Sequence, residues 1–353
     1  MTFQNEIINW YSANKRDLPW RHTNDAYTIW LSEIILQQTR VEQGLPYFNK
    51  FLSNFPTVND FANATEAKVL QLWQGLGYYS RGRNMHATAR IIVNDYHAIF
   101  PTNYNELITL KGIGEYTAAA ISSFSSGEAK AVVDGNVFRV LARYYGNDTP
   151  INSPKGKKDF FKLANNLLYT ADPALYNQAI MEFGAIQCKP KSPNCAICPL
   201  NLSCYALNKN LVNQLPVKLQ KAEKKNRFLN YFICIEEGKI LVRERQKGDV
   251  WQHLYDFPSI ETSFISRVDE DNFTSIVKET FGKAATLDFL SYQKHVLTHQ
   301  IIHVQFFALN NYIFNFSKQK ELNWVSFNTL DELPKPNVIR NFIHEFSDSI
   351  FKE

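Results

Sequence analysis

Apolar residues recur near i, i+3, i+4 and i+7 from the start of the chain to about residue 210, as in Glu66-Ala-Lys-Val-Leu-Gln-Leu-Trp, with Gly, Pro or Asn at the breaks. That period predicts an all-α domain over residues 1–210. From 211 to 226 the chain becomes polar and lysine-rich, with Lys218, Lys221, Lys224 and Lys225 beyond Pro216, the composition of an exposed linker. Past the linker the period shortens. Tyr231-Phe-Ile-Cys-Ile and Ile240-Leu-Val-Arg-Glu-Arg read as strands either side of the turn Glu-Glu-Gly-Lys, and Ile301-Ile-His-Val-Gln-Phe-Phe-Ala-Leu reads as another strand. With a helix expected from Asn272 to Phe281, residues 227–353 form an α+β domain. No repeat or low-complexity segment interrupts either part.

Composition agrees with this two-domain reading: 353 residues, 45% apolar, are enough for two ordinary cores. The start, Met-Thr-Phe-Gln-Asn-Glu-Ile-Ile-Asn-Trp, lacks a basic and then apolar leader, and no uncharged apolar run reaches the roughly 18 residues of a membrane span. A cytoplasmic location with no membrane contact is therefore expected. The net charge is +4, with the basic excess in the first domain and a slightly acidic second domain. Charge alone fits solvated lysines as well as a nucleic-acid partner.

Four stretches carry chemistry. In Leu107-Ile-Thr-Leu-Lys-Gly-Ile-Gly-Glu-Tyr-Thr-Ala-Ala-Ala-Ile, Gly112 and Gly114 permit close backbone approach ahead of a helix of small residues. This is either a tight helix connection or a phosphate-binding helix-hairpin-helix, at about 107–121. Asp134, after the apolar Ala131-Val-Val, reads as a helix N-cap or as a carboxylate facing a cleft. Glu33, set among Ile29, Trp30, Ile34 and Leu36, is either solvent-facing or buried. Burial would raise its pKa toward that of a general acid. Finally Cys188, Cys195, Cys198 and Cys204 are spaced C-x6-C-x2-C-x5-C, a metal-ligand pattern open to zinc or iron–sulfur, while Cys234 in its apolar strand is a buried structural thiol.

Taken together, these stretches resemble the endonuclease III superfamily of helix-hairpin-helix base-excision glycosylases, and within it the adenine DNA glycosylases of the MutY type. The matching segments are Leu18-Pro-Trp-Arg, Ser32-Glu-Ile-Ile-Leu-Gln-Gln-Thr, Gly75-Leu-Gly-Tyr-Tyr-Ser-Arg, Asp134-Gly-Asn-Val with Arg139, and Tyr176-Asn-Gln-Ala-Ile-Met-Glu-Phe-Gly-Ala before the cysteines. The resemblance spans essentially the whole chain. It implies a helical glycosylase domain with an iron–sulfur loop at 188–204, followed by a Nudix-like domain that reads the lesion. It also implies a 4Fe-4S cluster on the four cysteines and, as partner, duplex DNA containing adenine opposite 8-oxoguanine or guanine, met by a monomer.

The same resemblance implies residue roles. Glu33 protonates the departing adenine and Asp134 stabilises the cationic sugar, by ion pairing or by transient attachment, with Tyr116 and Asn136 as their hydrogen-bonding partners. Arg16, Trp20, Arg21 and Gln178 line the adenine pocket. Gln38 and Tyr78 are wedges beside the opposing base, with Thr39 and Leu76 near it. Bifunctional relatives carry a lysine where this chain has Tyr116, so hydrolysis without strand cleavage is expected, although Lys111 stands where the family has proline. In the second domain Leu297-Thr-His replaces the family's Phe-Ser-His, leaving Thr298 and His299 to contact the lesion. The glutamate-rich box of an active Nudix hydrolase is missing, so a recognition module is expected. His295, His299 and His303 have helical spacing, but β-branched neighbours make this a strand and not a metal stripe. The rival readings are a pyrimidine-lesion glycosylase and lyase, an electron carrier, and a non-catalytic iron–sulfur DNA-binding protein.

Overall fold

The computed structural model describes residues 2–220, 223–248, 250–313, 321–347 and 350. Lys221 of the expected linker lies outside the described residues. The chain forms two compact units, Met1–Asn63 with Asn84–Gln220, and Ala64–Arg83 with Lys221–Glu353. No helix among the described residues is long and apolar enough to cross a membrane.

The helices, in chain order, are α1 (Phe3–Asn14), α2 (Ala26–Ile35), α3 (Val41–Asn54), α4 (Val58–Asn63), α5 (Glu66–Trp73) and α6 (Ser80–Asp95). They continue with α7 (Tyr104–Leu107), α8 (Glu115–Ser126), α9 (Gly135–Tyr145), α10 (Pro154–Asn166), α11 (Pro173–Glu182) and α12 (Tyr205–Asn208). In the first unit α2 is buried on nearly every side, so its sequence shows little amphipathic alternation; Asp25 caps it by accepting from the Thr28 N–H at 2.8 Å. The helix packs on α8, where buried Ala118, Ala119 and Ala120 leave room for close approach. The hairpin before α8 turns through Gly112, whose φ of 80° is left-handed and whose added Cβ would stand 2.8 Å from Asn84 Cβ.

A second core joins α1, α9, α10 and α11 through Ile7, Tyr11, Val140, Leu141, Phe160, Ile180 and Phe183. The cysteine loop hangs from α9. Arg139 donates to the Cys188 and Gly184 carbonyls at 2.7 and 2.6 Å, and Arg143 donates to those of Lys189, Pro190 and Leu215 at 2.7, 3.2 and 3.0 Å. The last of these explains a departure from the expected exposed linker: Leu215 is buried, and the Ile151 N–H also binds the Val217 carbonyl at 3.0 Å. The opening of the segment at 211–226 is thus docked, and its end already belongs to a strand.

In the second unit the strands are β1 (Lys225–Ile233), β2 (Ile235–Glu236), β3 (Lys239–Glu244), β4 (Tyr255–Asp256), β5 (Ser259–Thr262), β6 (Thr286–Val296), β7 (Gln300–Asn310) and β8 (Leu322–Ser326). Besides α5 and the start of α6, this unit has the helices α13 (Asp271–Phe281), α14 (Phe327–Glu332) and α15 (Asn337–Phe346). One mixed sheet has the order β5-β1-β7-β6, with β1 parallel to β7; a smaller one joins β2, β3 and β4, with β8 on β3. Alternation sorts the aromatic residues of the central strands. Phe232 and Phe307 meet α13 through Phe273, while Tyr231 and Phe306 belong to the opposite face, where Phe342 of α15 stacks on Phe306 at 4.0 Å. Cys234 is fully buried in the α13 core, as expected of a structural thiol. The sequence did not single out β6, because it is an edge strand whose exposed positions break the apolar run.

Gly184 follows α11 and touches the first turn of α9: a Cβ there would lie 2.6 Å from Asn136 Cβ and 2.9 Å from its carbonyl carbon. Gly184→Ala should therefore lower unfolding free energy by about 1–3 kcal/mol, read from chemical denaturation of the purified protein.

Candidate active site

A cavity of about 620 Å³ opens in the first unit. Its lining brings together Arg16, Trp20, Arg21, Glu33, Gln38, Thr39, Tyr116, Asp134 and Asn136, residues scattered over more than a hundred positions of sequence. Behind it a chamber of about 50 Å³ is lined by Gln178 and again by Trp20, Arg21 and Glu33. Gln178 accepts from the Tyr11 hydroxyl at 2.8 Å. The hairpin glycines Gly112 and Gly114 do not line the cavity.

Glu33 sits on α2 and is 8% exposed, so the solvent-facing alternative is set aside. Burial raises its carboxyl to about 7; the nearby Asp134 adds to the rise, while the Tyr116 hydroxyl, donating at 2.7 Å, and Arg21 oppose it. Tyr116 is itself driven well above its ordinary pKa by burial and by Glu33, so it stays a neutral donor.

Asp134 satisfies both of its sequence readings at once. It caps α9 by accepting from the Asn136 and Val137 N–H groups at 2.9 and 2.8 Å, takes a third bond from Asn136 Nδ2 at 2.7 Å, and lines the cavity. Burial raises its carboxyl, and those three donors together with Arg139 work against the rise. Asn136 is in turn held by Arg139 Nη2, which donates to its Oδ1 at 2.8 Å.

Sequence reasoning gave no role to Glu182, at the end of α11. It is almost wholly buried and accepts from the Arg16 main-chain N–H at 2.9 Å, from Arg16 Nε and Nη2 at 2.8 and 2.7 Å, and from Arg21 Nη2 at 2.8 Å. Burial alone would raise this carboxyl; the two arginines outweigh it and hold it at about 2. Glu182 thereby fixes both cations at the cavity wall. The signal was present, since one carboxylate within Ala179-Ile-Met-Glu-Phe is the same pattern that drew attention to Glu33.

The remaining candidates lie in the second unit. Leu76 is buried, Tyr78 is half exposed, and the hydroxyls of Tyr78 and Thr298 form a hydrogen-bonded pair. Thr298 and the exposed His299 occupy the turn between β6 and β7. Gln38 and Tyr78, the two wedges of the resemblance, both have left-handed backbone, with φ of 57° and 46°. Such strain in non-glycine residues gathers where a side chain must be aimed.

The four cysteines line a separate apolar cavity with Val140, Arg143, Tyr144, Phe183 and Leu200. Burial raises the thiols of Cys195 and Cys204, and that of Cys198 to about 11. Arg143 Nη1 donates to Cys188 Sγ at 3.4 Å. Four soft donors around one apolar space, with a guanidinium against one sulfur, fit a thiolate-ligated metal group. Among the described residues no three His, Cys, Asp or Glu side chains gather as a single-ion site.

Residues 31–165 match the HhH-GPD superfamily of base excision DNA repair proteins, and residues 230–345 match the NUDIX domain. The fold of the first unit is similar to a thermostable thymine-DNA glycosylase, at 30% identity and a TM-score of 0.55 over 59% of this chain and 95% of that one. Endonuclease III in a DNA complex shares the fold at 18% identity and a TM-score of 0.51, covering 59% of this chain and 94% of that one. The adenine DNA glycosylase of Homo sapiens is 40% identical over 213 residues, 58% of this chain and 39% of that protein. That of Buchnera aphidicola subsp. Acyrthosiphon pisum is 31% identical over 352 residues, 99% of each chain. A likeness that runs end to end through both domains, over a cavity with two buried carboxylates of different surroundings, makes this chain a member of the adenine DNA glycosylase family, the base-excision repair enzymes that release adenine from DNA.

Proposed function

We propose that the enzyme, acting as a monomer on duplex DNA, flips out adenine mispaired with 8-oxoguanine or guanine and hydrolyses its N-glycosidic bond without cutting the strand. The observation that carries this reading is the unequal carboxylate pair. Glu33, with its carboxyl near 7, holds a proton for a leaving group, while Asp134, also raised by burial, has three donors that favour its ionised form.

In the proposed sequence Glu33 gives its proton to a ring nitrogen of adenine, and the bond between C1′ and the base breaks with its electron pair leaving on the now neutral base. The Asp134 carboxylate stabilises the oxocarbenium-like sugar. Glu33, now a carboxylate, takes a proton from the water that adds to C1′, which restores the starting acid. Tyr116 orients Glu33, and Asn136 holds Asp134. A phenol in the position of the bifunctional relatives' lysine offers no amine for a Schiff base, which supports the hydrolase over the lyase reading.

Arg16, Trp20, Arg21 and Gln178 receive the flipped base, with Glu182 fixing the two arginines. Gln38 and Tyr78 fill the vacated stack beside Thr39 and Leu76. The hairpin turn at Gly112 and Gly114 approaches the phosphate backbone. Thr298 and His299 read 8-oxoguanine. Cys188, Cys195, Cys198 and Cys204 hold a 4Fe-4S cluster, whose bonds to the four thiolates would clamp the loop carrying Lys189 and Lys191 against phosphates.

Single-turnover release of adenine from duplexes with 8-oxoguanine or guanine opposite tests the reading. The 8-oxoguanine duplex should react faster, and the rate should fall tenfold per pH unit above about 7, as Glu33 loses its proton. Glu33→Gln should lower the rate by about 10²- to 10⁴-fold while duplex affinity is kept; a near-normal rate would remove Glu33 from the chemistry. The same titration acts on stability. The folded carboxyl binds its proton more tightly than the unfolded one, so an ionised Glu33 weakens the fold increasingly from pH 4.5 to about 7, and by a constant amount above that. At pH 8 Glu33→Gln should raise the unfolding free energy by about 3 kcal/mol, because each tenfold difference in proton affinity between the folded and unfolded chain is worth roughly 1.4 kcal/mol. Anaerobically purified protein should contain iron and sulfide in equal amounts; stoichiometric zinc would overturn the cluster.

A further inference from the structure

Within the second unit, hydrogen bonds fasten the segment Ala64–Arg83 to the α+β fold. The Tyr78 and Thr298 hydroxyls pair, the Tyr79 hydroxyl donates to the Lys335 carbonyl at 3.0 Å, and Arg83 Nη1 donates to the Gln252 carbonyl at 2.8 Å. The third contact meets a loop of unusual backbone. Gln252 lies between Trp251 and His253, both left-handed at φ 65° and 59°. Arg245 stiffens this loop by donating through Nε to the Val250 carbonyl at 3.0 Å, placing its guanidinium 5.7 Å from the centre of the Trp251 ring, and anchoring on buried Asp256 at 2.7 Å. A strained loop held this firmly presents the Gln252 carbonyl in one direction.

The loop also touches the lesion-reading turn. The Trp251 ring meets that of His295 edge to face, with centroids 5.4 Å apart, and His295 stands on β6 three residues before Thr298. The contacts therefore close a circuit: from Tyr78 along the chain to Arg83, through Gln252 and Trp251 to His295, along β6 to Thr298, and back to Tyr78. Near Tyr78, Trp73 Nε1 donates to the Gly77 carbonyl at 2.9 Å, and Arg81 lies 5.7 Å from the Tyr78 ring centre, so the turn carrying the wedge is firm on its own side as well.

We infer that Arg83 and His295 are specificity-determining positioning residues: through the 250–253 loop they set the distance and angle between the Tyr78 wedge and the Thr298 hydroxyl, and so govern discrimination between 8-oxoguanine and guanine opposite adenine. Neither residue touches the reacting atoms. The inference rests on the reading of Tyr78 and Thr298 as contacts to the opposing base.

The test is single-turnover adenine release on both duplexes by the full chain and by Arg83→Met, Arg83→Lys, His295→Leu, Thr298→Ala and the Arg83→Met/Thr298→Ala double variant. Arg83→Met should lower the preference for 8-oxoguanine about tenfold, the scale of a bond between a charged donor and a carbonyl. Its rate on the guanine duplex should stay within about twofold of the parent enzyme, because no catalytic group has moved. Arg83→Lys, which keeps a donor, should retain most of the preference, and Arg83→Met should add nothing once Thr298 is alanine. Equal losses on both duplexes, or full additivity with Thr298→Ala, would overturn the inference, since a merely structural role produces either. Should Arg83→Met fail to fold, His295→Leu probes the other side of the circuit, and an unchanged preference there overturns it equally. A parent enzyme without preference, or a Thr298→Ala variant that keeps it, sinks the lesion-reading role itself; loss of preference in Thr298→Ala but not in Arg83→Met sinks only the circuit.

Discussion

The capping of α9 by Asp134 is the interaction on which the first unit turns. A carboxylate that satisfies two free N–H groups at a helix start is fixed in position by backbone and not by side-chain packing alone. One face of α9 then carries Asn136 to steady the same carboxylate, and Arg139 and Arg143 to hold the cysteine loop by its carbonyls. A carboxylate at the cavity and the cysteine loop are thus both held by one rigid element. The cysteines line a cavity apart from that of Glu33 and Asp134, yet are tied to Asp134 through α9.

Three carboxylates around one cavity show how environment assigns tasks. Glu33 is buried, with a neutral phenol as its hydrogen-bond partner, and keeps its proton to about pH 7; Glu182 is buried between two arginines and is ionised down to about 2. Asp134 lies between them in character, desolvated but supplied with three donors. One functional group thus takes three different proton affinities in three settings. The ion pairs with Glu182 hold Arg16 and Arg21 at the cavity wall, from where Arg21 works against the raised carboxyl of Glu33 without overcoming it.

The second unit solves a different problem, that of aiming a turn. Residues from β6, the 250–253 loop and the segment Ala64–Arg83 meet around Tyr78 and Thr298, and left-handed backbone at Tyr78, Trp251 and His253 shows where the chain is held against its local preference. The polar groups of this turn are the Thr298 hydroxyl and the His299 imidazole, with Tyr78 beside them.

By itself the sequence determined the helical period of the first part, the strands β1, β3 and β7 and the helix α13, because the strands are short continuous apolar runs buried on both faces and the helices keep an apolar period of their own. Through its motifs it also singled out Glu33, Asp134, Tyr116 and the four cysteines. It could not choose between solvent and core for Glu33, nor between cap and cleft for Asp134, since burial and direction are properties of what packs around a residue. The tertiary structure decided both, and it alone revealed Glu182 as the clamp on Arg16 and Arg21, the docked start of the segment after α12, the edge strand β6, and the contact circuit from Arg83 to Thr298. Apart from β6, these depend on contacts more than thirty positions apart in sequence, and a local pattern holds no record of which distant partner will satisfy a buried charge or fix a strained loop.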